Sequence, residues 1–148
     1  MRRIDEAHKY RYLDHAADIK IKSNGQSLDQ AYEHMGIAVA NMITDTSELA
    51  GLVRKKLIVE SKSITSLLYE YLNNILTLVE EEHFLIKHIY YLSITQLDEG
   101  FKLTCELHGD SDPAFAKTKK PKKVTYTDMS LELMEATNSY EVTIVLEL

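Results

Sequence analysis

A chain of 148 residues with 45% hydrophobic and 27% charged residues has the balance of a folded globular protein and the length for one sizeable core. Its formal charge of -6 argues against a surface that grips nucleic acid throughout, so any such contact would be local. A single cysteine, Cys105, excludes an intramolecular disulfide and a cysteine-based zinc site, and five scattered glycines argue against a nucleotide cradle.

The chain opens on Arg2 and Arg3, but Asp5, Glu6, His8 and Lys9 follow where a signal peptide would turn apolar. Residues 1–9 are expected to be a flexible lead to one domain spanning 1–148. With no apolar run long enough to cross a bilayer, the expected setting is intracellular, cytoplasmic and/or nuclear, without a membrane partner. From Tyr12 to Lys22 the pattern reads as one extended strand. Its period of two would put Leu13, His15, Ala17, Ile19 and Ile21 on an inner face. Asp14, Ala16, Asp18, Lys20 and Lys22 would share the other.

Asn24-Gly25 signals a turn, and Ser27 with Gln30 forms the signature of a capping box. Leu28, Ala31, Met35, Val39 and Met42 then recur at helical spacing, up to the polar run Thr44-Asp45-Thr46-Ser47. A short strand around Leu57 to Val59 follows. Ser61 or Ser63 can cap a second helix, whose stripe is Leu67, Leu68, Tyr71, Leu72, Ile75, Leu78 and Val79. Glu80-Glu81-Glu82 would suffer from the helix dipole at that end and reads as an exit loop.

Beyond Phe84 the pattern turns to β. Ile86 to Ile94 and Phe101 to Leu107 form a hairpin around Asp98-Glu99-Gly100, and Cys105 falls on its apolar side. Gly109 to Pro113 reads as the end of the sheet. Val124 to Met134 and Tyr140 to Leu148 are two more strands, joined across Ala136 to Ser139. Two helices among about six strands predict an α+β fold, a mostly antiparallel sheet sandwich with the helices covering one face.

Three groups of residues carry possible chemistry. Asp14, Asp18 and Glu147 lie on wet strand faces, and the α-carboxylate of Leu148 adds an oxygen next to Glu147. If the first and last strands are neighbours, their oxygens suit Ca²⁺, Mg²⁺ or Mn²⁺; otherwise they are a solvated charged face. Lys117, Lys119, Lys120, Lys122 and Lys123 form a basic loop, which serves phosphate, an acidic partner or solvent alone. The histidines at 8, 15, 34, 83, 88 and 108 show no tight metal spacing, and His15 reads as a hydrogen-bonded core residue. No nucleophile elbow is present, so the residues propose no catalyst.

Tyr12-Leu13-Asp14-His15-Ala16-Ala17-Asp18 resembles the opening signature of the archease family, which usually ends His-Thr-Ala-Asp. Met42 to Thr46, Ser66 to Leu72 and Lys122 to Met129 agree with later family stretches in the same order, the last with its Lys-Ala-x-Thr-Tyr-x-x-Met strand. The resemblance runs from about Tyr10 to the C-terminus. It implies a non-catalytic activator of the RtcB-type RNA ligase, or of a tRNA-splicing ligase complex, that promotes GTP-dependent guanylylation and multiple turnover in tRNA exon joining. The tRNA would be met only indirectly.

The resemblance also implies a divalent-cation site at Asp18, Glu147 and Leu148, with Lys122 as a partner contact; Asp14, from the acidic strand face, is a further supporting or partner contact. This chain departs from the pattern at Ala16, where Thr is usual, and at Glu147, where Asp is usual. Its loop before Lys122 is shorter. A chaperone-like modulator of a tRNA-modifying enzyme, such as a tRNA cytosine methyltransferase, is the alternative. A metal-dependent phosphoester hydrolase is a distant third, lacking a recognisable base.

Overall fold

A computed structural model describes residues 3–5, 9–15, 18–111 and 123–147. In chain order come β1 (Arg3–Asp5), β2 (Tyr10–His15), β3 (Asp18–Gly25), α1 (Leu28–Ile43), a 3-10 turn (Thr46–Glu48), β4 (Val53–Ser61) and α2 (Ile64–Glu82). Then follow β5 (Phe84–Leu97), β6 (Gly100–Ser111), β7 (Lys123–Met134) and β8 (Ser139–Glu147). All pairings are antiparallel, in a five-stranded sheet ordered β1-β2-β3-β8-β7 and a three-stranded sheet ordered β4-β6-β5. The α+β class holds. The helices, however, do not cover one face of a single sheet. α1 packs on β3 and β8 of the larger sheet and β5 of the smaller, while α2 packs on β7 of the one and on β4, β5 and β6 of the other.

The helices begin where their serines cap them. Ser27 Oγ accepts the Gln30 amide at 3.1 Å, but the Gln30 side chain returns to the amide of Gln26, one residue short of a full capping box. Of the two serines offered for α2, Ser63 is the cap, in a reciprocal box with Ser66. Both sheets press on α1, so its buried set is wide and takes in Tyr32, Gly36 and Ile43 besides Ala31, Met35, Val39 and Met42 of the expected stripe, while Leu28 is half-buried. At Gly36 an added Cβ would meet the Tyr71 hydroxyl at 2.1 Å. That hydroxyl donates to the Tyr32 carbonyl at 3.0 Å, so the bare helix position admits a buried hydrogen bond between the helices.

Three expectations need correction. The stretch from Tyr12 to Lys22 is not one strand: β2 and β3 are antiparallel neighbours with His15 opposite Asp18, so the chain reverses between them. Consequently, among the described side chains of β2, Tyr10 and Tyr12 are buried, while Leu13 is only half-buried. Glu80 to Glu82 belong to α2, which ends at His83 in the left-handed region (φ 52°). Lys55 answers the acidic end with an ion pair to Glu82 at 2.9 Å. Nor does the sheet stop at Gly109. β6 continues to Ser111, and Gly109 has no Cβ because one would strike the Leu85 carbonyl of β5 at 2.0 Å.

Cys105 is buried as expected, and burial, with the Glu33 charge, pushes its thiol up to about 12, as suits a small core residue. Among the described residues no helix is long and apolar enough to cross a membrane.

Candidate metal centre

An early strand and the last one pair in the larger sheet. β8 lies between β3 and β7, and its last residue, Glu147, stands opposite Asp18 on one side and Lys123 on the other. Directly opposed residues of an antiparallel pair share a face, with Cβ atoms about 5 Å apart. Asp18 and Glu147 therefore form a cross-strand pair of carboxylates, both half-buried. Lys123 Nζ reaches Glu147 Oε2 at 3.9 Å, a long contact from an exposed side chain.

The same face continues as a ladder of charges. Lys20 pairs with Asp128 at 3.6 Å, and Lys22 and Arg11 both reach Glu141, at 3.4 and 3.5 Å. These side chains lie over a β8 that is buried on both faces, since Thr143 and Val145 are as enclosed as Val142, Ile144 and Leu146. Alternation along the strand makes Val142, Ile144 and Leu146 an apolar set, and these are buried, but the face of Thr143 and Val145, which alternation would leave wet, is covered as well. Asp128 gets its place from a large bulge. Thr125 opposes Val145 and Ser130 opposes Thr143, so five steps along β7 answer two along β8. Asp128 takes φ 54° within it, and Tyr126 stacks on Tyr69 of α2 at 4.5 Å.

Of the residues expected at a metal site, the structure brings Asp18 and Glu147 together. Leu148 and Lys122 lie outside the described residues, as do Lys117, Lys119 and Lys120 of the basic loop. Asp14 stands opposite Ile19 on the neighbouring strand and not two rungs from Asp18 on the same one. Its side chain, like that of His15, lies outside the described residues. Lys123, a residue of the basic loop in sequence, begins β7, and its alternation with buried Val124 marks the outward face on which it meets Glu147.

The donor set fits a hard cation, since like charges placed opposite each other repel and oxygen ligands suit Ca²⁺, Mg²⁺ or Mn²⁺. Among the described residues no three acidic, histidine or cysteine side chains gather, so the candidate donors among them are these two carboxylates alone.

Comparison with known proteins agrees along nearly the whole chain. The model described as the Archease protein family (MTH1598/TM1083) matches residues 10–148. A protein archease-like of Drosophila melanogaster is 31% identical over 147 residues, covering 95% of this chain and 90% of its own length. The archease of Pyrococcus abyssi is 29% identical, covering 84% of this chain and 88% of its own. Among solved structures, protein 1598 of Methanobacterium thermoautotrophicum superposes with a TM-score of 0.80 at 22% identity, covering 95% of this chain and 99% of the other. A Thermotoga maritima protein described as an archease and possible chaperone gives 0.55 at 14% identity, over 92% and 94%. At such identities these two likenesses speak for the fold.

Proposed function

Because this chain belongs to the archease family, we propose that it is a non-catalytic cofactor of an RtcB-type RNA ligase and promotes the ligase's guanylylation by GTP during tRNA exon joining. The observation that carries this reading is the opposition of Asp18 and Glu147 across β3 and β8. We assign these two carboxylates, with the C-terminal carboxylate of Leu148, to a divalent cation: Ca²⁺, Mn²⁺ or Mg²⁺. When bound, the cation offsets the repulsion of the pair and offers positive charge to phosphate oxygens.

The chain's own residues hold and aim that site. The β3–β8 register keeps the carboxylates on one face, and the ion pair from Lys123 steadies Glu147 at the sheet's end. Lys122, next to it in sequence, is assigned to a phosphate or an acidic side chain of the ligase, and Asp14 to a supporting contact.

The test is single-turnover guanylylation of a cognate ligase with GTP and Mn²⁺, with the chain added, with Asp18→Ala, and with residues appended after Leu148. A rate gain lost in both variants supports the reading. A gain that survives both removes the metal site, and no gain with a competent ligase removes the activator role. The second reading is a chaperone-like modulator of a tRNA-modifying enzyme, favoured by the description of the Thermotoga protein as a possible chaperone. It predicts suppressed aggregation of the client enzyme without any need for GTP.

A further inference from the structure

On the outward face of the three-stranded sheet, two rows of side chains cross all three strands. His88, His108 and Arg54 oppose one another in the first row, and Tyr90, Glu106 and Lys56 in the second. Tyr90 is central. Its ring centroid lies 4.7 Å from that of His108, edge to face, 5.3 Å from His88 and 5.9 Å from Tyr91. Glu106 engages the His108 ring by a hydrogen bond, while Arg54 and Lys56 are exposed.

Tyr91 departs from the regular strand. It is 80% exposed and sits at φ 58°, a region that disfavours any residue with a Cβ. Three steps of β5, from Tyr90 to Ser93, answer two of β6, from Glu106 to Thr104. The bulge turns an additional aromatic ring to solvent beside Tyr90. Strain of this kind persists where the surroundings impose it, and it concentrates at binding sites.

We propose that this face binds unpaired RNA. Bases stack on Tyr91, Tyr90 and His88, and phosphates meet Arg54 and Lys56. A sheet that offers rings beside basic side chains suits splayed-out bases, because every base has a face that stacks. The next row sets Ser93 opposite Thr104, two hydroxyls that a ribose 2′-hydroxyl can pair with and a deoxyribose cannot. Stacking also needs no large positive field, which fits a local contact on a chain of charge -6. The inference stands apart from the metal centre, which lies on the other sheet.

Fluorescence anisotropy of a labelled oligouridylate, titrated with the full chain at low salt, tests it. Saturable binding is expected, weakened about tenfold by Tyr91→Ala. Tyr91→Gly should weaken it equally while suiting the backbone at that position, so a thermal melt separates loss of the ring from loss of the fold. Arg54→Gln combined with Lys56→Gln should reduce the slope of log K against log salt by about 1.4. No saturable binding by the wild-type chain overturns the proposal and leaves the face to a protein partner. Binding untouched by Tyr91→Gly overturns it too, and equal affinity for the matching DNA oligonucleotide overturns the assignment to RNA.

Discussion

Asp18 and Glu147, 129 positions apart in the chain, stand directly opposite each other at the end of the β3–β8 ladder. Opposed like charges disfavour a strand pairing, and the proposed cation would offset that repulsion here. In chelator-treated buffer, a divalent cation at about tenfold its Kd should stabilise the chain by about 1.4 kcal/mol. For a domain of this size that raises the Tm by about 3 to 5 °C. Asp18→Asn should lose this rise while its metal-free Tm is no lower than wild type. An undiminished rise in Asp18→Asn, read by calorimetry with Ca²⁺ and with Mn²⁺, would sink the assignment.

Asp110 ties the loop before β4 to β6. Its carboxylate accepts the amides of Ala50, Gly51 and Leu52 at 2.8, 3.0 and 3.1 Å. The Gly51 amide foremost, then those of Leu52 and Ala50 and the Lys87 charge, outweigh partial burial and hold the carboxyl below its ordinary value. A carboxyl depressed in the folded state stabilises above its unfolded pKa, and that contribution disappears as pH falls through the folded pKa. Asp110→Ala should therefore cost about 1 kcal/mol at pH 7, after allowance for solvent exposure. Urea midpoints of wild type and variant should converge as the pH falls from about 4 toward 2.

The sequence made both helices legible because their apolar stripes and capping serines are local signals. The reversal between His15 and Asp18 left no such mark. Apolar residues alternate on both sides of Ala16-Ala17, and neither glycine, proline nor asparagine punctuates the join. The meeting of Asp18 with Glu147 is not local either, since strand pairing across the whole chain is a tertiary event. The acidic end of α2 is illegible for a similar reason: Lys55, which compensates it, arrives from another element. The bulges at Tyr91 and Asp128 put non-glycine residues at positive φ, where composition gives no warning.

Gly36 sits in the middle of α1, where helix propensity alone favours alanine by about 1 kcal/mol. The structure reverses that preference. An added methyl would overlap the Tyr71 hydroxyl at 2.1 Å and Ile89 Cδ1 at 2.5 Å, both on buried neighbours. Overpacking of this kind costs about 1 to 3 kcal/mol, and displacing the hydroxyl also strains its bond to the Tyr32 carbonyl. Gly36→Ala should lower the urea midpoint, and adding Tyr71→Phe should restore part of the loss by removing the oxygen it meets.

Tyr91 permits a comparison at a single backbone site. At φ 58° a side chain with a Cβ is strained, so the usual ranking of alanine above glycine should invert. Tyr91→Gly should be more stable than Tyr91→Ala by about 1 kcal/mol, although both lose the same ring contact with Tyr90. Denaturant titration of the two variants settles the order. If alanine proves the more stable, the left-handed geometry at the bulge is wrong, and with it the reason for a ring held out to solvent there.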